Sequence, residues 1–303
     1  MLHALGRMRY WPRGAALLCV AALGACGSGE TPPPPSPGVE PPRFGHVFIL
    51  VEENANYLSV IGSPAMPYLN GLAQQYGLAT QYYADTHPSI GNYFMMTVGD
   101  TVTNDDAWTG TVSLDNVVRR LVAAGKSWKS YAEDLPSVGY HMPGVVGKYA
   151  SRHTPLSYLS DVVNDPGQVT RLVPFTQLAT DLAGDTLPNY GFLVPNLCHD
   201  AHDCPLDSAD TWLRSSIDPL IQHPTFQHDG LLIIVFDESR SDNTGGGGRI
   251  VWIVVSSRAK RGYQSTAAYQ HASTLRLTLA ALGITQYPNR AAGAPAMGEF
   301  FTP

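Results

Sequence analysis

The sequence predicts an α/β fold in which a mostly parallel central sheet carries helices on both faces. Three observations predict it. Short, continuous apolar runs alternate with stretches of helical period; those runs do not alternate polar with apolar; and glycines close several of the helix-like segments. The runs are residues 47–51, 191–194, 231–236 and 250–255. Continuous β-branched and aromatic character is the pattern of strands buried on both sides, as in a parallel sheet covered by helices. Residues 127–132 add a shorter strand. Helix-like segments span 66–76, 114–124, 175–182, 211–221 and 272–282. In the first, Met66, Leu69, Leu72, Ala73 and Tyr76 share one face. Gly77, Gly125 and Gly283 stand where helices end. Strands alternating with helices indicate one doubly wound domain.

Composition narrows the function. With 44% apolar and 15% charged residues in 303, the chain is globular and long enough for a large core. The net charge is -6 and no lysine/arginine block lies beyond the N-terminus, which argues against a nucleic-acid partner and against a polybasic membrane patch.

The N-terminus reads as an export signal. Arg7, Arg9 and Arg13 precede an apolar run, 15–23, too short to span a bilayer, and small residues follow. Leu23-Gly24-Ala25-Cys26 resembles a bacterial lipobox, so residues 1–26 are expected to be a lipoprotein-type signal with Cys26 acylated. Residues 27–43, rich in Pro, Gly and Ser, read as a tether to a domain over 44–303. The expected location is the cell envelope, periplasmic or on the outer face of a membrane, with membrane attachment only through the lipid anchor. Cys198 and Cys204 are then disulfide candidates in an oxidising compartment. A zinc site from Cys198, His199, His202 and Cys204 is the weaker alternative, because its spacing fits no common zinc pattern.

In an open α/β sheet the site lies at the carboxyl ends of the strands. Those ends carry Glu52-Glu53-Asn54, the stretch Pro195 to Asp203, and Asp237-Glu238-Ser239; Ser256-Ser257 follow the last run, and a glycine loop, 245–248, precedes it. Carboxylates brought together repel unless a cation neutralises them, so a divalent metal is expected. The segment Thr86-His87-Pro88-Ser89 reads as a turn into a helix with Ser89 as N-cap. The glycine loop lacks the Lys-Ser/Thr of a phosphate-binding loop and reads as a flexible turn.

Taken in order, these motifs resemble the bacterial phosphoesterase family of acid phosphatases and non-specific phospholipases C. They are Glu53-Asn54 after a strand; Thr86-His87-Pro88-Ser89 with Asn92-Tyr93; Lys148-Tyr149 with His153-Thr154-Pro155; Pro195-Asn196 with Asp200-Ala201-His202; Phe236-Asp237-Glu238; the glycine loop; and Tyr269-Gln270-His271. The resemblance covers nearly all of 44–284 and implies an alkaline-phosphatase-like fold. It implies Glu53, Asn54, Ser89, Asp237 and Glu238 as ligands of a divalent metal ion, with Ser89 also the nucleophile of a phosphoserine route. It places His153, Asp200 and His202 on the phosphate side as catalytic residues, and Asn92, His199 and His271 as substrate-binding residues. His46, His141, His223 and His228 read as structural or surface residues. The chain departs from the family's pattern at Ala55-Asn56-Tyr57 and at Glu238, where some members carry aspartate. The stretch from Ser89 to Trp128 is short, which implies a reduced lid. The implied activity is that of an acid phosphatase acting on small phosphorylated substrates. The alternatives are a phospholipase C-type diesterase working on a phospholipid head group, and a non-catalytic lipoprotein binding phosphate or metal.

Overall fold

The computed structural model describes residues 38–302, and the expected signal segment and lipobox Cys26 lie outside them. Among the described residues ten strands form: β1 His46–Glu52, β2 Gly77–Tyr83, β3 Trp128–Ala132, β4 Val145–Val146, β5 Tyr149–Ala150, β6 Leu172–Pro174, β7 Tyr190–Val194, β8 Gly230–Phe236, β9 Trp252–Val255 and β10 Tyr263–Gln270. Eight of them make one sheet in the order β10-β2-β9-β8-β1-β7-β3-β6, and β4 and β5 pair as a separate hairpin. All neighbours in the large sheet are parallel except β9, which is antiparallel to both β8 and β2. The expected mostly parallel α/β sheet is therefore present.

The sheet is covered on both faces, and alternation along the strands shows it. Phe48 of β1 packs on Phe226 of the helix Pro224–Asp229. Phe192, the partner of the next residue Ile49, instead packs on Tyr93 of the helix Ser89–Thr97. Successive side chains point to opposite faces, so the two helices lie on opposite sides. Helices Pro67–Gln75 and Leu206–Ser216 pack against each other, as do Ser89–Thr97, Val117–Ala123 and His271–Ala281. β1, β7 and β8 are buried almost throughout. Each fully buried Leu, Ile, Val or Phe side chain contributes roughly 1.5–3 kcal/mol, so this central trio contributes heavily to the sheet's stability.

The structure corrects three readings and bears out a fourth, the disulfide. The segment 211–221 is two helices, Leu206–Ser216 and Asp218–Gln222; Pro219 sits in the first turn of the second, where its missing N–H costs nothing. Because β9 is antiparallel, Ser256-Ser257 lie at the amino end of β8, where Ser256 Oγ donates to the Gly230 carbonyl at 2.8 Å. The glycine loop before β9, not the serines after it, therefore reaches the carboxyl edge. Residues 38–43, read as tether, are tied to the domain: Gly298 N donates to the Val39 carbonyl at 2.8 Å, and Glu40 pairs with Arg276. Cys198 and Cys204 form a disulfide, which rules out the alternative zinc site from the same residues.

β3 carries a polar anchor. Lys129 Nζ and the Tyr131 hydroxyl both lie 2.6 Å from Asp181 Oδ2, and Gln177 donates to Oδ1 at 3.0 Å. Burial raises the Asp181 pKa, but these donors outweigh it and hold the carboxyl below its ordinary range. A carboxylate depressed in the folded state stabilises above its unfolded pKa and loses that contribution as pH falls through the folded value. Asp181→Asn is expected to lower unfolding free energy at neutral pH by about 2 kcal/mol, with the difference from wild type shrinking in acid. Urea denaturation at several pH values measures it, and a pH-independent difference would contradict the assignment.

Candidate active site

Parallel strands bring their carboxyl ends to one edge. Glu53 and Asn54 leave β1, the turn to Ser89 leaves β2, Glu133 leaves β3, residues 195–204 leave β7, and Asp237-Glu238 leave β8. Backbone hydrogen bonds lock these exits together. Glu53 N donates to the Asp200 carbonyl at 2.7 Å, and Asp237 N to the Glu52 carbonyl at 2.9 Å.

Ser89 is the first residue of its helix and Pro88 occupies the cap, so Ser89 is not the expected N-cap. Its hydroxyl, released from capping, donates to Glu53 Oε2 at 3.0 Å in a buried setting. Glu53 is the hub. Tyr93 OH donates to Oε1 at 2.7 Å, and Asn54 Nδ2 donates to Oε2 at 3.0 Å. His153 Nε2 lies 3.2 Å from Oε1 but out of line for a hydrogen bond. The His153 ring stacks on Tyr93 at 5.2 Å between centroids, and its Nδ1 lies 3.1 Å from Asp200 Oδ2. Asn54 adopts φ +47°, a left-handed conformation that Asn tolerates better than most residues. That turn lets its backbone N–H donate to Asp237 Oδ1 at 3.1 Å. Glu238 Oε2 meets His87 Nδ1 at 2.8 Å.

The electrostatics are those of crowded, buried acids. Burial, then Asp237 and Asp200, push Glu53 well above the carboxylate range. Burial lifts Asp237 and Asp200 to about 7 each. Burial, then Asp237 and Asp106, lift Glu238 to about 9. Burial holds His153 well below the ordinary histidine value. Asp237 Oδ2 is buried with no hydrogen-bond partner. An unpartnered buried carboxylate oxygen among other carboxylates, a hydroxyl and an amide oxygen is a donor set that fits a hard divalent cation. Glu53, Asn54, Ser89, Asp237 and Glu238 supply those donors. Among the described residues no three acidic, His or Cys side chains already close on one point, and Glu238 is engaged with His87.

The remaining expected residues divide. Asp200 and His202 are held in the loop closed by Cys198–Cys204, where Asp200 Oδ1 accepts from the His202 amide at 2.8 Å. His202 is part-exposed; its Nδ1 lies 2.7 Å from Asp203 Oδ1, and its Nε2 lies 3.4 Å from Arg152 Nη2. Asn92, expected against substrate, is fully buried: Oδ1 accepts from Asp85 N and Thr86 N, and Nδ2 donates to the Thr86 carbonyl and, at 3.5 Å, to Glu238 Oε2. His271, also expected against substrate, is fully buried beneath the site, its Nε2 2.6 Å from the Asp237 carbonyl. Burial lowers its pKa to about 4, so it is neutral and positions the Asp237 backbone. His199 turns instead to Glu133, 2.8 Å away, and stacks on Trp212.

Sequence reasoning left four site residues without a role: Tyr93, His87, Arg152 and Asp106. Tyr93 lies four residues after Ser89, on the same helical face, and that spacing was readable. Asp106 accepts from Ile90 N at 3.1 Å and lies 3.5 Å from Arg152 Nε, a pairing across unrelated loops that carries no local signal. The glycine loop proves to be a packed platform. At Gly246, φ is +117° and a Cβ would sit 2.1 Å from the Asp85 carbonyl oxygen. Gly247 N donates to the Ala84 carbonyl at 3.0 Å and its carbonyl accepts from Ser239 N at 2.9 Å, so the loop joins the Ser89 turn to the Asp237-Glu238 exit.

The model of the phosphoesterase family matches residues 48–284, well over half of the chain. A phosphatidylinositol-3-phosphatase of Mycobacterium tuberculosis is 33% identical over 199 residues, 65% of this chain and 64% of that protein. An acid phosphatase of Aspergillus fumigatus is 29% identical over 277 residues, 88% of this chain and 61% of that protein. The chain thus spans less than two thirds of the length of these curated relatives. Among solved structures, an alkaline phosphatase superfamily protein from Vibrio parahaemolyticus superposes with a TM-score of 0.55 at 14% identity, over 84% of this chain and 71% of that one. The lipoteichoic acid synthase LtaP from Listeria monocytogenes gives 0.58 at 11% identity, over 85% and 77%. At such identities these structures establish the fold, which is alkaline-phosphatase-like.

Gly246→Ala is expected to cost about 2–4 kcal/mol of stability, because the backbone conformation and the Asp85 carbonyl both exclude a side chain. Gly293→Ala is the control: nothing lies within 4 Å of its Cβ position, and a change within about 0.5 kcal/mol is expected. Equal midpoints for the two variants in urea denaturation would contradict the platform role.

Proposed function

The chain belongs to the phosphoesterase family, and we propose that it hydrolyses phosphate monoesters with Ser89 as nucleophile. The observation that carries this reading is the Ser89 hydroxyl, freed from capping at the start of a helix and held 3.0 Å from Glu53 Oε2 among buried acids. Glu53, Asn54, Ser89, Asp237 and Glu238 are the residues that would hold a divalent cation, which when bound supplies positive charge beside a serine oxygen and a phosphoryl group. Tyr93 and Asn54 fix the Glu53 carboxylate through one hydrogen bond to each oxygen, and Glu53 in turn aims the serine hydroxyl. Ser89 Oγ, giving its proton to Glu53 Oε2, forms a bond to phosphorus as the bond to the leaving oxygen breaks, giving phosphoserine; water then displaces the serine, which takes a proton back, and phosphate is released.

His202 is the residue suited to protonate the leaving oxygen. It is part-exposed, Asp203 orients its Nδ1, and Arg152 beside its Nε2 offers charge to a phosphate. His153 is buried between Glu53 and Asp200 and acts as a positioning residue that keeps both carboxylates in place. The likeness to relatives whose names carry acid phosphatase and phosphatidylinositol-3-phosphatase favours a monoester, either a small phosphorylated molecule or a phosphorylated lipid head group. The Cys198–Cys204 disulfide supports an exported protein, in keeping with the lipobox-like Cys26.

The test is hydrolysis of para-nitrophenyl phosphate by metal-stripped protein supplied with individual divalent ions. Wild type is expected to be active, and Ser89→Ala to lose at least about a thousandfold in kcat. An inert wild type with every ion, or an active Ser89→Ala, contradicts the proposal. Bis-para-nitrophenyl phosphate, run in parallel, is expected to be the poorer substrate; a preference for it would favour the diesterase alternative. His202→Asn is expected to slow an alkyl phosphate by about a hundredfold and para-nitrophenyl phosphate much less, because nitrophenolate leaves without a proton. Equal losses on both substrates would remove His202 from the acid role.

A further inference from the structure

The hairpin β4–β5 stands beside the proposed catalytic loop and serves none of the roles assigned so far. Its far end runs directly into Ser151-Arg152-His153. Leu197 N donates to the Lys148 carbonyl at 3.0 Å, joining the hairpin to the loop that carries Asp200 and His202. The inner strand is buried through Tyr149 and Ala150. The outer strand and the segment leading to it are not: Val138 is 56% exposed, Met142 58%, Val145 52% and Val146 44%. Among the described residues these four make up the largest sequence-local group of exposed large apolar side chains. Folding gains nothing by leaving them in water, and apolar groups gathered this way mark a surface that is covered in use.

Charge indicates what covers it. No Asp or Glu occurs from Leu135 to Ser160, although the chain as a whole holds 25 acids and a net charge of -6. The only formal charges in that span are Lys148, at the exposed turn of the hairpin, and Arg152. Arg152 is paired with Asp106 at 3.5 Å, so among the described residues Lys148 is the free cation of the segment. An exposed apolar segment that carries a lysine and no carboxylate of its own suits the boundary between acyl chains and anionic head groups.

We propose that the β4–β5 hairpin, through Val138, Met142, Val145, Val146 and Lys148, docks the domain onto an anionic lipid bilayer with the site at its edge. The membrane then meets the folded domain itself, in addition to any N-terminal lipid anchor. The inference rests on the phosphoesterase reading only in treating that edge as a substrate entrance, where a phosphate carried on a lipid head group would be presented. β4 and β5 pair only with each other, so removing the apolar side chains of β4 leaves the large sheet intact.

The test uses the full chain carrying Cys26→Ser, so that no acyl group contributes, with and without the triple substitution M142S/V145S/V146S. Sedimentation with vesicles of phosphatidylcholine, with or without phosphatidylserine, reads the docking directly. The parent is expected to partition onto serine-containing vesicles, and the triple variant to lose at least about tenfold of that partition. Lys148→Glu is expected to lose the preference for phosphatidylserine. Turnover of soluble para-nitrophenyl phosphate is expected to be the same in all of them. A parent that ignores both vesicles, or a triple variant that binds as the parent does, overturns the proposal. So does a concentration-dependent dimer that the triple substitution abolishes, because the occupant would then be a second copy of the chain. If soluble turnover is absent from the parent, the catalytic reading fails, while the vesicle result still decides the docking surface.

Discussion

Four buried carboxylates at one sheet edge are the constraint on which the rest of the molecule depends. Glu53, Asp200, Asp237 and Glu238 stand at the exits of β1, β7 and β8, three adjacent strands buried almost throughout. Their crowding is forced by backbone geometry, because the exits are hydrogen bonded to one another through Glu53 N, Asp200 O, Asp237 N and Glu52 O. Acids held so close in a dehydrated setting resist ionisation: burial raises all four, and repulsion from neighbouring acids adds to it, Asp203 being the neighbour that acts on Asp200. A cluster of this kind carries unfavourable electrostatics that a bound cation would relieve. The stability of the domain comes from elsewhere, chiefly the apolar strands and anchors such as Asp181 with Lys129 and Tyr131.

Around the carboxylates two supports divide the labour. On one side Asn92, His87, His271 and the glycine loop hold the Ser89 turn and the Asp237-Glu238 exit in fixed register. On the other, Tyr93, His153 and the disulfide-closed loop hold Glu53, Asp200 and His202. Most of these polar side chains are buried and saturated, so they act by position and leave His202 and Arg152 as the side chains on the solvent side. Preorganisation of this kind is what lets a small set of groups act on a charged substrate without rearranging.

How much of this was legible in the sequence follows from what each residue signals locally. β1, β7 and β8 were readable because continuous apolar runs have few alternatives. β2 and β10 were not: their sequences, GLATQYY and YQSTAAYQ, mix small and polar residues, and β10 lies at the edge with half-exposed positions. The direction of β9 was hidden as well, because apolar character does not reveal orientation, and so Ser256-Ser257 were placed at the wrong edge. Among the acids, position after a strand was enough for Glu53, Asp237 and Glu238. For His199 adjacency to Asp200 misled, since one residue of offset in an irregular loop sends the ring to Glu133 and Trp212. For Asn92 and His271 the motif was visible but side-chain direction was not: Asn92 is buried against the Ser89 turn and Glu238, and His271 against the Asp237 carbonyl.

The account stands or falls on whether the buried carboxylates bind a cation. Equilibrium dialysis of metal-stripped protein against single divalent ions, followed by elemental analysis, measures this without relying on turnover. It predicts stoichiometric retention of a divalent ion by wild type, and at least about a tenfold weaker retention by Asp237→Asn, which removes the charge of the unpartnered oxygen. Wild-type protein that retains no ion, or an Asp237→Asn variant that retains as much as wild type, would contradict it.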